Sequence, residues 1–168
     1  MKKLLALAVV ILGFTAVSFG QSGVTKSADA SATIIGPLTL TKVTDMNFGN
    51  VAVTATAGTV VLVPAGTRTP TGGVSLPVVA GTVTAATFTV GGEGSSTYAI
   101  TLPTTDLTIS SSGNTMTVNA FTSNPSGTGA LTSGSQTLQV GATLNVAGGQ
   151  ATGTYKSLVP FDVTVNYN

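Results

Sequence analysis

The chain holds five carboxylates, Asp29, Asp45, Glu93, Asp106 and Asp162, and neither histidine nor cysteine. Glu93 and Asp106 are the one pair that raises the question of a two-carboxylate glycosidase. Both fall in turn-like stretches with no aromatic platform for a sugar nearby. A Ser–His–Asp triad and a Cys–His dyad fail for want of histidine and cysteine, as does a histidine or cysteine metal site. "GGEGSS" at 91–96 is glycine-rich, but it lacks the lysine and the following helix of a phosphate loop. It reads as a hairpin turn. Arg68, between Thr67 and Thr69, reads as a solvated loop tip. The expectation is a protein that is not an enzyme and that carries no cofactor and no metal.

The pattern does support another chemistry, the pairing of backbone with backbone. In "PFDVTVNYN", residues 160–168, Phe161, Val163, Val165 and Tyr167 alternate with Asp162, Thr164 and Asn166. Period-two alternation is the mark of a strand with one buried face. Similar runs fill the chain, and no segment after residue 20 has helical periodicity. "PLTLTKV", "MNFGNVAV" and "GTVVLVP" come first, preceded by "ASATIIG" as a lead-in strand. "VTAATFTV" and "STYAITLP" flank "GGEGS" as a predicted hairpin. "DLTIS" and "TMTVNAF" flank "SSGN" as another. "AGTRTPTGG" reads as a hairpin loop or flap, and "TSNPSGTGALTSGS" as a long polar loop. "QTLQVGATLNVA" alternates Leu138, Val140, Ala142, Leu144 and Val146. About nine or ten short strands at such spacing predict an all-β fold. The preferred form is a two-sheet, immunoglobulin-like Greek-key sandwich, with a closed barrel as the alternative. Phe48, Phe88, Phe121 and Phe161 read as core anchors. Tyr98 and Tyr155 are expected to pack in the core, each with its hydroxyl on a partner.

Residues 1–20, "MKKLLALAVVILGFTAVSFG", have Lys2 and Lys3, an apolar run from Leu4 to Phe14, and Ser18 and Gly20 at suitable cleavage positions. That is the pattern of a secretory signal peptide, and the run is short for a membrane span of about 20 apolar residues. Removing 20 of 168 residues leaves 148, enough for one domain. The domain is expected over residues 36–168, preceded by an N-terminal segment, 21–35. Lys26, Lys42, Arg68 and Lys156 then stand against the five carboxylates, a net charge of −1. There is no basic patch for nucleic acid and no second apolar run of spanning length. A secreted protein of the periplasm or outer cell surface is expected.

"LTLTKVTDMNFGNV", "AATFTVGGEGSSTYAITLP", "LQVGATLNVAGGQATGTY" and "FDVTVNYN" together resemble a family of secreted bacterial domains of unknown function. The order of features also resembles the spore coat protein U domain and the archaic chaperone–usher pilins. The shared marks are Met46 to Gly49, the Gly153 to Tyr155 turn and the Val163 to Tyr167 strand. The resemblance implies a fimbrial, pilin-like subunit whose sandwich lacks a strand. Phe161, Val163, Val165 and Tyr167 would be the assembly strand, read first by a periplasmic chaperone. The donor would be the N-terminal segment of the next subunit, through Val24, Ala28, Ala30, Ala32 and Ile34. That segment offers little bulk to fill a groove, and the cysteine pair frequent in such pilins is missing. A complete sandwich with its last strand paired centrally therefore stays open. So does a monomeric module that binds a glycan or surface protein through loops 65–73, 91–96 and 123–135.

Overall fold

The computed structural model describes Gly20 and residues 22–168. The signal-peptide reading lies outside the described residues, Gly20 apart. The chain divides into two units, one ending at Thr33 and one running from Ile34 to Asn168. In the first, residues 22–33 are exposed and form no regular secondary structure.

The second unit is all-β. Its strands are β1 (Thr39–Thr44), β2 (Asn47–Phe48), β3 (Ala52–Leu62), β4 (Arg68–Ser75), β5 (Val83–Thr84), β6 (Ala86–Gly91) and β7 (Thr97–Thr101), then β8 (Leu107–Ser111), β9 (Asn114–Asn124), β10 (Thr128–Ala130), β11 (Ser135–Val146), β12 (Lys156–Ser157) and β13 (Thr164–Tyr167). Nine are long enough to show alternation, in line with the sequence; β2, β5, β10 and β12 have two or three residues each. The lead-in strand at "ASATIIG" does not form. Ile34 is 97% exposed, and pairing begins only at Thr39, beyond Gly36 and Pro37.

The long strand β11 is the axis of the larger sheet. On one flank it pairs with β9, from Gln139↔Asn124 to Asn145↔Thr117. On the other, Ser135 to Val140 pair with β6, and Ala142 to Val146 with β3. Gly141 stands where one neighbour gives way to the other. A Cβ there would come within 2.7 Å of the Val63 carbonyl carbon, where the backbone peels off β3. The sheet continues outward through β1 beside β6, through β8 and β12 beyond β9, and through β4 beside β3. A three-stranded sheet, β10-β7-β13, is separate from it, as is the short β2-β5 pair.

Period two on β11 buries Leu138, Val140, Ala142, Leu144 and Val146. Phe88 and Val90 of β6 join the first two, with Tyr98 of β7 and Leu131 facing them from the smaller sheet's side. Val60, Val74 and Val118 join the others, and Phe121 and Met46 touch both groups. β9 changes phase midway. Ala120 has φ 48°, and the register with β11 shifts there. This is a bulge, so Val118 points inward before it and Phe121 after it.

Three predicted connections are corrected. "GGEGS" does not close a hairpin, because β6 and β7 lie in different sheets. It is a crossover corner, bonded instead to the 132–135 turn: Gly92 N donates to Gly134 O at 2.9 Å and Gly134 N to Gly94 O at 2.7 Å. "AGTRTPTGG" is mostly strand β4, since the turn occupies only Val63 to Thr67, where Val63 N donates to Thr67 O at 3.0 Å. The stretch 123–135 contains the end of β9 and all of β10. The β8–β9 hairpin matches expectation, with Ser112 at φ 47° and Gly113 at φ 86° in its two-residue turn.

Candidate strand-pairing edge

Alternation in 161–168 is realised side chain by side chain. Phe161, Val163, Val165 and Tyr167 are half-buried; Asp162, Thr164, Asn166 and Asn168 are exposed. The four inward residues pack on the cluster that holds Tyr98 and Leu131, and the Phe121 and Phe161 rings lie 5.0 Å apart. The structure thus brings together the whole candidate assembly strand. One flank of β13 pairs with β7, Thr164↔Thr101 through Tyr167↔Tyr98. Its other flank has no partner among the described strands. The last strand is therefore an edge strand, and its central pairing, one alternative left open by the sequence, is not observed.

Sheet edges are usually guarded by charge, proline, bulges or brevity. β1 carries Lys42, paired with Asp45 at 2.6 Å, and a register shift between Lys42 and Thr44. β4 carries Pro70 and Gly72 at φ +63°. β10 has three residues, and β12 has two, including Lys156. β13, "TVNY", has no charge, proline or glycine.

Tyr167 fixes the far end of this strand. Its hydroxyl accepts from Glu93 N at 2.8 Å and donates to Gly36 O at 3.1 Å. Gly36 N in turn donates to a Glu93 carboxylate oxygen at 3.4 Å. Beneath the strand Tyr98 is fully buried, and its hydroxyl donates to Gln136 Oε1 at 2.7 Å. Gln136 Oε1 also accepts from Ala130 N at 3.0 Å. Desolvation by burial raises the Tyr98 pKa above the ordinary phenol value. Tyr155 is only half-buried, and its hydroxyl donates to Ala151 O at 2.7 Å.

At the other end the two strands diverge. Beyond Thr101 and before Thr164 the chains separate and leave a concavity of about 640 Å³. Leu102, Leu107, Val159 and Phe161 give it an apolar lining, and Asp106 and Asp162 supply its carboxylates. Leu158 and Val159 on its lip are 90% and 71% exposed. Sequence reasoning missed this cleft; the signal was "SLVP", two adjacent apolar residues that break alternation before a proline.

The remaining sequence-predicted residues fall as follows. Val24, Ala28, Ala30 and Ala32 belong to the first unit and are exposed, and Ile34 begins the second. Glu93 and Asp106 have separate surroundings, the Tyr167 corner for one and the cleft for the other. Arg68 is not a solvated tip. It is half-buried at the start of β4, and its guanidinium donates to Phe48 O and, at 2.9 Å, to Asn50 O.

Residues 38–167 match the family described as "Domain of unknown function (DUF4402)". No curated protein matches the chain, nor does any solved structure.

Proposed function

We propose, for a chain that belongs to the DUF4402 family, a non-enzymatic structural role as a secreted subunit of a pilus-like fibre or surface coat. On this reading the subunit assembles by β-strand pairing in the periplasm or at the outer surface. Its fold is a Greek-key, immunoglobulin-like sandwich with one edge left open. The partner is another copy of the chain, with a periplasmic chaperone covering the edge beforehand. The reading rests on the bare edge of β13, whose inward residues already sit on the core. Strand addition to such an edge gives affinity through backbone hydrogen bonds and specificity through alternate side chains. The likeness of Met46–Gly49, Gly153–Tyr155 and Val163–Tyr167 to pilin and spore coat protein U marks supports the same reading.

The test is the oligomeric state of the mature chain, residues 21–168, beside a form beginning at Gly36 and a Thr164→Lys variant. Light scattering and gels of unboiled samples read it out. Heat-sensitive ladders that vanish with the truncation and weaken with the edge lysine support strand exchange. Clean monomers from the mature chain refute it and turn attention to a self-contained binding module.

A further inference from the structure

We infer that the cleft beside β13 anchors the incoming strand: Val24 of a second copy enters it, and that copy's Lys26 ammonium lies between the Asp106 and Asp162 carboxylates. The inference rests on the strand-pairing reading and specifies where the pairing is registered.

The argument begins with what the edge lacks. Tyr98, Leu131 and Leu138 are buried members of the cluster on which Val163 and Val165 of the β13 region already pack. A strand laid along this part has no deep trench to fill. Small side chains suit it, and the segment offers Ala28, Ala30 and Ala32 on one face. Open space exists at one end, where the cleft of about 640 Å³ lies between the diverging chains. Its lip carries the exposed apolar pair Leu158 and Val159, the kind of surface that marks an interaction site.

Size and length then match the segment to the edge. With period two, Val24, Lys26, Ala28, Ala30, Ala32 and Ile34 share one face of an extended strand. Val24 is 89% exposed and Ile34 97%, so the bulk of this face lies at its ends. Val24 to Ile34 and Leu158 to Asn168 are each eleven residues, roughly 35 Å when extended.

Charge picks which end meets the cleft. Lys26 is the one charge on that face, since Asp29 lies on the other. The residues lining the cleft include two carboxylates, Asp106 and Asp162, and no cation; Lys156, on β12, is not among them. A lysine stem can lie along the apolar wall while its ammonium reaches the carboxylates at the rim.

The experiment measures the half-assembly concentration of the mature chain, residues 21–168, by light scattering. Lys26→Glu, in an exposed segment without regular structure, is the first variant, with Val24→Ser beside it. Each is expected to raise that concentration about tenfold or more, by charge reversal and by loss of the anchor respectively. Asp106→Lys with Asp162→Lys should do the same, and adding Lys26→Glu to that pair should restore most of the loss. A mature chain that assembles equally well with Lys26→Glu and Val24→Ser, yet fails without residues 22–35, overturns the anchor while strand pairing stands. A charge swap that restores nothing also overturns the lysine–carboxylate contact. Assembly that survives deletion of 22–35 overturns both readings.

Discussion

Gly129→Ala tests the packing beneath the bare β13 edge. Gly129 is buried in β10, directly across from Tyr98 of β7. A Cβ built there would lie 2.6 Å from Gln136 Oε1 and closer still to the Tyr98 ring and hydroxyl. The ring cannot retreat easily, because Tyr98 is fully enclosed and bonded to Gln136. Overpacking a filled core costs about 1–3 kcal/mol. Displacing the ring also strands the buried Tyr98 hydroxyl, about 1–3 kcal/mol more, while Gln136 Oε1 keeps Ala130 N. The variant should therefore lose roughly 2–6 kcal/mol, a large share of the ~5–15 kcal/mol typical of a domain. The melting temperature should fall by roughly 6–24 °C at about 3–4 °C per kcal/mol. Urea unfolding followed by far-ultraviolet circular dichroism measures the change. Tyr98→Leu is the companion, and a double-mutant cycle should return more than about 1 kcal/mol of coupling. A Gly129→Ala protein within about 0.5 kcal/mol of the parent would show that the ring does not cover Gly129.

Three further outcomes are expected. Tyr98→Phe should remove part of the alkaline loss of stability. Burial raises the folded pKa above the unfolded value of 10.0, so the stabilisation is intact below that pH and is lost as pH climbs through the folded value; denaturation at pH 9 and above follows it, and an unchanged alkaline limb refutes it. Arg68→Met should cost roughly 2 kcal/mol, because the Phe48 and Asn50 carbonyls lose a charged donor; a thermal melt checks this, and an unchanged melt would restore the solvated-tip reading. Ala120→Gly should stabilise by roughly 0.5–1 kcal/mol by relieving a left-handed alanine at the β9 bulge, read from the urea midpoint, and destabilisation would contradict the bulge geometry.

What was legible in the sequence is what period two can carry. The alternation of β11 and of residues 161–168 predicted which side chains turn inward, because one face of each meets the core. "SSGN" predicted its hairpin because β8 and β9 are neighbours both in sequence and in the sheet. "GGEGS" misled because a glycine-rich link looks the same whether its flanking strands pair or part. The difference lies in the 132–135 turn, about forty residues on, which bonds the corner. "RTPTGG" has turn chemistry yet forms an edge strand, where a missing donor is tolerated. The bulge left a trace, since Val118 and Phe121 are three apart where alternation asks for two. Arg68 left none, because its carbonyl partners lie 20 and 18 positions earlier. The bareness of β13 became visible only once every other edge could be compared with it.

The central place of β11 sets the order in which the chain can fold. Its Leu144 pairs with Val60, 84 positions earlier, and its Leu138 with Phe88, 50 positions earlier. The β3–β4 and β8–β9 hairpins can close locally, but neither finds its place until residues 135–146 arrive between them. Pairing over such separations must first overcome loop-closure entropy, which places sheets of this kind among the slow folders, in milliseconds to seconds. During synthesis from the N-terminus, β3, β6 and β9 therefore wait without their central neighbour, exposed to wrong partners. β13 leaves the ribosome later than this keystone, and its own pairing with β7 spans 63 to 69 positions, so the bare edge too depends on contacts distant in the chain.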